Sequence, residues 1–179
     1  MSGNDPADDP AHRFPYLKTA AVRRLATETP GRRAAAEDPP ADEEEGCPAF
    51  GYLRGTRDRA LAVEFRFANG NSDTFPYSHL AGWRFDPSVG LLLKFTADVV
   101  TLVLVRGSNL DAPVNQSGVN LTDRGFQRHR ITWVREMDAA ALKAVGDTGP
   151  TVDRIAVAEF EAHADLRAWL GTHAPAFCR

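Results

Sequence analysis

The feature that most constrains the fold is a strict alternation of apolar and polar residues just before an Asn-Gly pair. Apolar side chains at Leu61, Val63, Phe65 and Phe67 alternate with Ala62, Glu64 and Arg66. A period of two places each set on its own face of a β-strand. Asn69-Gly70 follows, a pair typical of a type I′ hairpin turn, in which both central residues have positive φ. The sequence therefore predicts a hairpin whose return strand is Thr74–Tyr77.

Further strands and two helices are predicted along the rest of the chain. The predicted strands are Trp83–Phe85, Leu91–Phe95, Val99–Val105, Arg130–Glu136 and Asp153–Phe160. The run Val99–Val105 is apolar at every position except Thr101, which favours a central strand covered on both faces. A short helix is predicted between an N-cap at Asp138 and a stop at Gly146.

A second helix, over residues 162–171, carries Leu166, Trp169 and Leu170 on one stripe. An apolar stripe on a helix needs an apolar partner. The stripe either covers part of the sheet or docks on another protein.

These elements define a mainly β fold class, with an α+β arrangement as a variant. We expect a small antiparallel sheet or partly open β-barrel with a short C-terminal helix, in a core domain over residues 47–146 and a strand/helix extension over 147–179. The barrel is preferred because closure reduces the open strand edges that invite aggregation. Residues 111–127 are rich in Asn, Asp, Gly and Gln, and predict one long loop of functional or mobile character.

Residues 1–46 have a different composition, dominated by Pro, Ala and charged residues, with ten acidic and six basic side chains. Such a segment cannot bury enough apolar surface to offset the entropy lost on ordering. The sequence predicts a disordered charged arm, interrupted by one short amphipathic helix between Phe14 and Leu25.

The net charge of the chain and the lack of long apolar segments argue against several classes of function, namely duplex-DNA binding, secretion and membrane insertion. The chain has 21 basic and 24 acidic residues, a formal net charge of −3, whereas duplex-DNA binders usually carry a basic excess. The opening MSGNDPADDP lacks the basic and apolar regions of a signal peptide. The longest apolar run is far shorter than the roughly 20 residues of a membrane span. We therefore expect a cytoplasmic protein without a membrane partner.

No recognisable catalytic, metal or cofactor motif is present in the sequence. The five histidines lack metal-ligand spacing, and the two cysteines, Cys47 and Cys178, lie at opposite ends of the chain. Cys47 is expected to be an exposed, incidental thiol at the junction of arm and domain. Neither a Gly-x-Ser-x-Gly elbow nor a phosphate-binding glycine loop occurs. We expect no catalytic residues, no metal and no cofactor, and we favour a protein that is not an enzyme.

One basic stripe provides an alternative function. Arg124, Arg128, Arg130 and Arg135 lie close together in sequence, with Phe126 and Trp133 between them. Arginines beside exposed aromatic rings are typical of proteins that bind single-stranded nucleic acid. In the competing structural interpretation, Trp133 and Ile131 face the core, Arg128 and Arg130 lie on the outer face, and Phe126 plugs the end of the barrel.

Two functional hypotheses follow. The first is a non-enzymatic protein-interaction module, with a small β core and flexible charged termini, that binds a protein partner or a second copy of itself. The alternative is an RNA or single-stranded DNA binding protein that uses the stripe Arg124–Arg135.

Overall fold

Eight strands form two four-stranded sheets in a computed structural model that describes residues 47–54, 57–114 and 118–178. The strands are β1 Phe50–Tyr52, β2 Ala62–Arg66, β3 Ser72–Pro76, β4 Leu80–Asp86, β5 Gly90–Thr96, β6 Val100–Arg106, β7 Ile131–Arg135 and β8 Arg154–Phe160. The helices are α1 Ala139–Val145 and α2 His163–His173, and 3₁₀ turns span Tyr77–His79, Phe126–Arg128 and Pro175–Phe177. The predicted disordered arm, residues 1–46, lies outside the described residues.

The two sheets differ in topology. Sheet 1 has the order β1-β7-β2-β3, with β7 parallel to β2 and the other neighbours antiparallel. Sheet 2 has the order β4-β5-β6-β8 and is antiparallel throughout. The predicted mainly β fold class is confirmed, and the strands remain as two open sheets that do not close into a barrel. The chain passes from one sheet to the other through the 3₁₀ turn Tyr77–His79.

The predicted hairpin joins β2 and β3, but its turn is of another type. Of its residues only Gly70 has positive φ, at 87°, so the type I′ prediction is wrong. The Gly70 amide donates to the Phe67 carbonyl at 3.0 Å, and the Phe67 amide donates to the Asn71 carbonyl at 2.9 Å. Asn69 contributes a side-chain acceptor for the Asn71 amide. One glycine with positive φ is enough for this longer loop.

The main core fills the space between the two sheets. Phe65 from sheet 1 lies 6.3 Å from the Phe95 ring of sheet 2 and 6.4 Å from the stacked Phe126 ring. The described parts of the predicted long loop add fully buried side chains, Val119, Leu121 and Phe126. The segment that reads as a polar loop therefore closes one part of the core, because a few apolar residues point inward between polar ones.

A second, smaller core lies on the opposite face of sheet 2, beneath α2. Its buried members are Leu92, Leu102, Leu104, Leu166, Ala174 and Phe177, and Trp169 and Leu170 pack against them. The apolar stripe of the C-terminal helix therefore covers a sheet face. The prediction that β6 is central and covered on both sides is confirmed, since it pairs with β5 and β8 and contributes to both cores. None of the helices among the described residues is long and apolar enough to span a membrane.

Candidate functional site

A groove of about 640 Å³ lies between the outer face of sheet 2 and α2. We call it the α2 groove. Its sheet side is lined by residues of β4, β5 and β6, among them Gly82, Arg84, Leu92, Lys94 and Leu102. The remaining wall is formed by His163, Leu166, Arg167, Leu170, Phe177 and Cys178.

The strand register places the sheet-side residues on one face. Gly82 pairs with Lys94, Arg84 with Leu92, and Lys94 with Leu102, and paired residues of neighbouring strands share a face. The intervening side chains, such as Leu91 and Leu93, point the other way and belong to the main core. Helix α2 then contributes side chains at spacings of three and four residues, so that one face of the helix borders the groove.

The charge of the α2 groove has one sign. Its lining includes Arg84, Lys94 and Arg167, together with His163, and none of the described lining residues is an Asp or Glu. Arg84 Nη1 donates to the Phe177 carbonyl at 2.9 Å. Within the described part of the chain, the side chains of Lys94 and Arg167 have no hydrogen-bonding or ion-pair partner. Two exposed cations therefore border a largely apolar floor.

Gly82, in the edge strand β4, leaves the groove open at the edge of sheet 2. Among the described residues, no atom lies within 4 Å of a Cβ placed on this residue, so they leave the space above it open. Its partner across the sheet, Lys94, is exposed. The absence of a side chain at Gly82 gives a ligand at the edge of the sheet access to Lys94.

The four arginines of the predicted nucleic-acid stripe do not lie on one surface. Arg130 is buried, and its Nε and Nη2 donate to the Leu53 carbonyl at 2.9 and 2.6 Å. Nη2 also donates to the Arg54 carbonyl at 3.1 Å. Arg124 and Arg128 are exposed beside the 3₁₀ turn Phe126–Arg128. The expectation that Arg130 lies on the outer face is therefore wrong, because its guanidinium is enclosed by backbone carbonyls and is unavailable to a ligand.

The fourth arginine of the stripe, Arg135, lies on the outer face of sheet 1 beside Trp133. The guanidinium carbons of Arg66 and Arg135 lie 4.8 and 5.6 Å from the centre of the Trp133 ring. Arg135 also donates from Nη2 to the Pro48 carbonyl at 3.0 Å. The expectation that Trp133 faces the core is wrong, because β7 in parallel register with β2 pairs Trp133 with the outward-facing Glu64. Val134 faces the core instead.

A charge pair partly neutralises this face of sheet 1. Arg66 Nη2 lies 2.7 Å from Glu64 Oε2, and the hydrogen bond from Arg66 lowers the pKa of the Glu64 carboxyl. The Trp133 ring packs against Gly51, where a Cβ would overlap it. The aromatic surface that could stack on a nucleic-acid base is therefore largely engaged by the protein itself.

The buried thiol of Cys47 and the buried hydroxyl of Tyr77 are enclosed by the fold. Cys47 is only 8% exposed, so the expectation of an exposed thiol is wrong, and burial raises its pKa. A thiol in this state is a poor nucleophile. The Tyr77 hydroxyl donates to the Ile131 carbonyl at 2.9 Å, and its ring stacks on His129 at 4.5 Å. Among the described residues, no group of three His, Cys, Asp or Glu side chains is placed to hold a metal ion.

The sequence holds a partial signal for the α2 groove. Leu91, Leu92 and Leu93 are consecutive in β5, so both faces of this strand are apolar and both need a cover. The apolar stripe of α2, Leu166, Trp169 and Leu170, predicts the second cover. The gap between helix and sheet depends on Gly82 and on the path of the 3₁₀ turn Pro175–Phe177, the C-terminal turn. The periodicity of apolar residues in the sequence does not predict this path.

A comparison of the chain with protein-family models, with curated proteins and with solved structures found no match.

Proposed function

We propose that the protein is a non-enzymatic interaction module that binds a segment of a protein partner in the α2 groove. The segment is acidic and carries apolar side chains. The observation that carries this proposal is the pair of cations, Lys94 and Arg167, that border an apolar groove and have no side-chain partner among the described residues.

The chemistry of the groove favours such a segment in two ways. Carboxylates of the partner gain charge-assisted hydrogen bonds with Lys94 and Arg167, and complementary charge also speeds association. Apolar side chains of the partner contact Trp83, which is only partly buried and borders the groove at the edge strand β4. Removing this apolar surface from water contributes roughly 25 cal/mol per Å².

Two octapeptides test the proposal on the full chain. The acidic peptide is Ac-(Leu-Glu)₄-NH₂ and the matched basic peptide is Ac-(Leu-Lys)₄-NH₂. In a ¹H–¹⁵N NMR titration, the acidic peptide should shift amide resonances of β4 and α2, and the basic peptide should not. The double variant Lys94→Glu, Arg167→Glu should weaken the acidic peptide at least about tenfold, a change of about 1.4 kcal/mol.

Lys143→Glu provides the control for the charge reversal, because Lys143 is exposed on α1 and does not line the groove. This variant should bind the acidic peptide like the unchanged protein. Equal binding of both peptides, or resonance shifts outside the groove, would contradict the proposal.

An RNA-binding measurement on the same protein tests whether the partner is a nucleic acid. A fluorescent random-sequence RNA pool should show no salt-sensitive binding if the module binds protein. Tight binding that falls steeply with salt, and that is lost in Arg124→Ala, Arg128→Ala, would assign the function to the arginine stripe instead.

A further inference from the structure

The α2 groove is bordered by an open strand edge. β4 has seven residues, lies at the edge of sheet 2 and pairs only with β5 within the described residues. We propose that the partner segment adds to the edge of β4 as a further strand of sheet 2. Its alternate side chains then reach across Gly82 into the α2 groove. This inference rests on the proposed function.

The other three edges are less suited to strand addition. β1 has three residues and an irregular register. β3 ends at Pro76, which has no amide hydrogen to donate. β8 carries charged residues towards both ends, Arg154 and Glu159, a common means of protecting an edge.

The edge of β4 lacks two of these protections, because it is seven residues long and contains neither Pro nor Lys. Its register shifts once, between Leu80 and Gly82, and is regular from Gly82 to Asp86. The charged Arg84 is turned towards the C-terminal turn, where it donates to the Phe177 carbonyl. In an antiparallel pair, backbone groups alternate between facing the neighbouring strand and facing away. Within the described part of the chain, the backbone groups of Ala81–Phe85 that face away from β5 have no hydrogen-bond partner, so they are available to a segment added at this edge.

The position of Gly82 explains why the segment should be acidic. On an added strand, a residue aligned with Gly82 lies two strand spacings, about 10 Å, from Lys94. A glutamate and a lysine can bridge this distance only if no side chain stands between them. Gly82 leaves that path open. The alternate side chains of the segment point to the inner side of the sheet, beside the partly buried Trp83 and Phe85, which favours apolar residues there.

Backbone methylation of the acidic octapeptide tests strand addition. One derivative carries N-methyl groups on all leucines, and the other carries them on all glutamates. On an added strand, the amides of one set face β4 and those of the other face solvent, whichever way the strand runs. One derivative should therefore bind at least about tenfold more weakly than the other. Amides of β4 should also become protected from hydrogen exchange when the unmethylated peptide binds.

The outcomes separate strand addition from the proposed function. Equal affinity of both methylated peptides, with charge-dependent binding retained, would overturn strand addition and leave the interaction module in place. Failure of the unmethylated acidic peptide to bind would overturn both. Gly82→Val adds a test on the protein: its side chain fits the open space, so its NMR spectrum should remain that of the folded protein. Its affinity for the acidic peptide should fall, and Lys94→Glu should then have little further effect.

Discussion

The Glu136 carboxylate accepts a hydrogen bond from the backbone amide of Ile155 at 2.6 Å. Its other oxygen accepts from the Ala68 amide at 2.7 Å. Ala68 follows β2 of sheet 1 and Ile155 lies in β8 of sheet 2, so one side chain links the two sheets through hydrogen bonds to backbone amides. This link fixes the end of the core opposite the crossing at Tyr77–His79.

Glu136→Ala should therefore lower the free energy of unfolding by about 2 kcal/mol, since hydrogen bonds to a charged group contribute about 1.5 to 3 kcal/mol. Urea denaturation followed by circular dichroism measures the change. Glu159→Ala, an exposed position on β8, is the control and should alter the stability by less than about 0.5 kcal/mol. Equal stabilities of the two variants would mean that the Glu136 contacts contribute little.

Arg130 is expected to stabilise the fold and to take no part in ligand binding. Arg130→Lys removes the planar fork that serves two carbonyls, because lysine presents a single ammonium group. The expected loss is about 1 to 3 kcal/mol, the cost of leaving buried polar groups without partners. Arg128→Lys, at an exposed position, should be neutral. If Arg130→Lys weakened RNA binding without lowering the midpoint of urea unfolding, this assignment would be wrong.

Local patterns in the sequence predicted most of the elements. Alternation located β2 and β5, and the N-cap at Asp138 is confirmed by a hydrogen bond from the Ala141 amide at 2.7 Å. These signals are visible because each depends on residues a few positions apart. The apolar run Val99–Val105 likewise showed that β6 would be covered on both faces.

These local patterns do not predict contacts between segments that are distant in the sequence. The parallel pairing of β2 with β7 joins residues about seventy positions apart and reverses the face expected for Trp133. The burial of Arg130 depends on the carbonyls of Leu53 and Arg54, which no spacing in the sequence indicates. The α2 groove is of the same kind, since it is formed by β4, α2 and the C-terminal turn.

Two glycines should respond to substitution in opposite ways. Among the described residues, nothing occupies the space where a side chain of residue 82 would stand, whereas a Cβ at Gly51 would overlap the Trp133 ring. Gly82→Ala should stabilise the protein by roughly 0.5 to 1 kcal/mol, because glycine loses more backbone freedom in a strand. Gly51→Ala should destabilise it by about 1 to 3 kcal/mol, since Trp133 must move.

Thermal unfolding of the two alanine variants compares them directly. Intrinsic tryptophan fluorescence should change in Gly51→Ala, because Trp133 loses its packing. A destabilised Gly82→Ala would show that the groove wall is more crowded than the open space indicates.

The two cysteines should differ in reactivity. Cys178 is exposed at the mouth of the α2 groove, whereas Cys47 is buried and its pKa is raised by burial. A thiol-disulfide reagent at pH 8 should modify one thiol per chain rapidly and the second only after denaturation. Cys178→Ser should remove the rapid phase, and Cys47→Ser should remove the thiol that reacts only after denaturation. Rapid loss of both thiols in the native protein would contradict the burial of Cys47.

The stability of the fold at alkaline pH should depend on Tyr77. Burial raises the pKa of its hydroxyl, which donates to the Ile131 carbonyl. In the unfolded chain a tyrosine ionises near pH 10. The folded state thus holds a proton that the unfolded state releases, so the stability from Tyr77 is fully present below about pH 10 and is lost as the pH rises towards the folded pKa.

Tyr77→Phe removes the hydroxyl and is expected to cost about 1 kcal/mol at pH 7, a typical net value for one hydrogen bond. Since phenylalanine does not ionise, the advantage of the tyrosine should shrink between pH 9 and 11. Urea titrations of both proteins across this range isolate the effect, because every other titrating group is common to the two. A difference that stayed constant up to pH 11 would show that Tyr77 ionises in the folded protein as readily as in the unfolded chain.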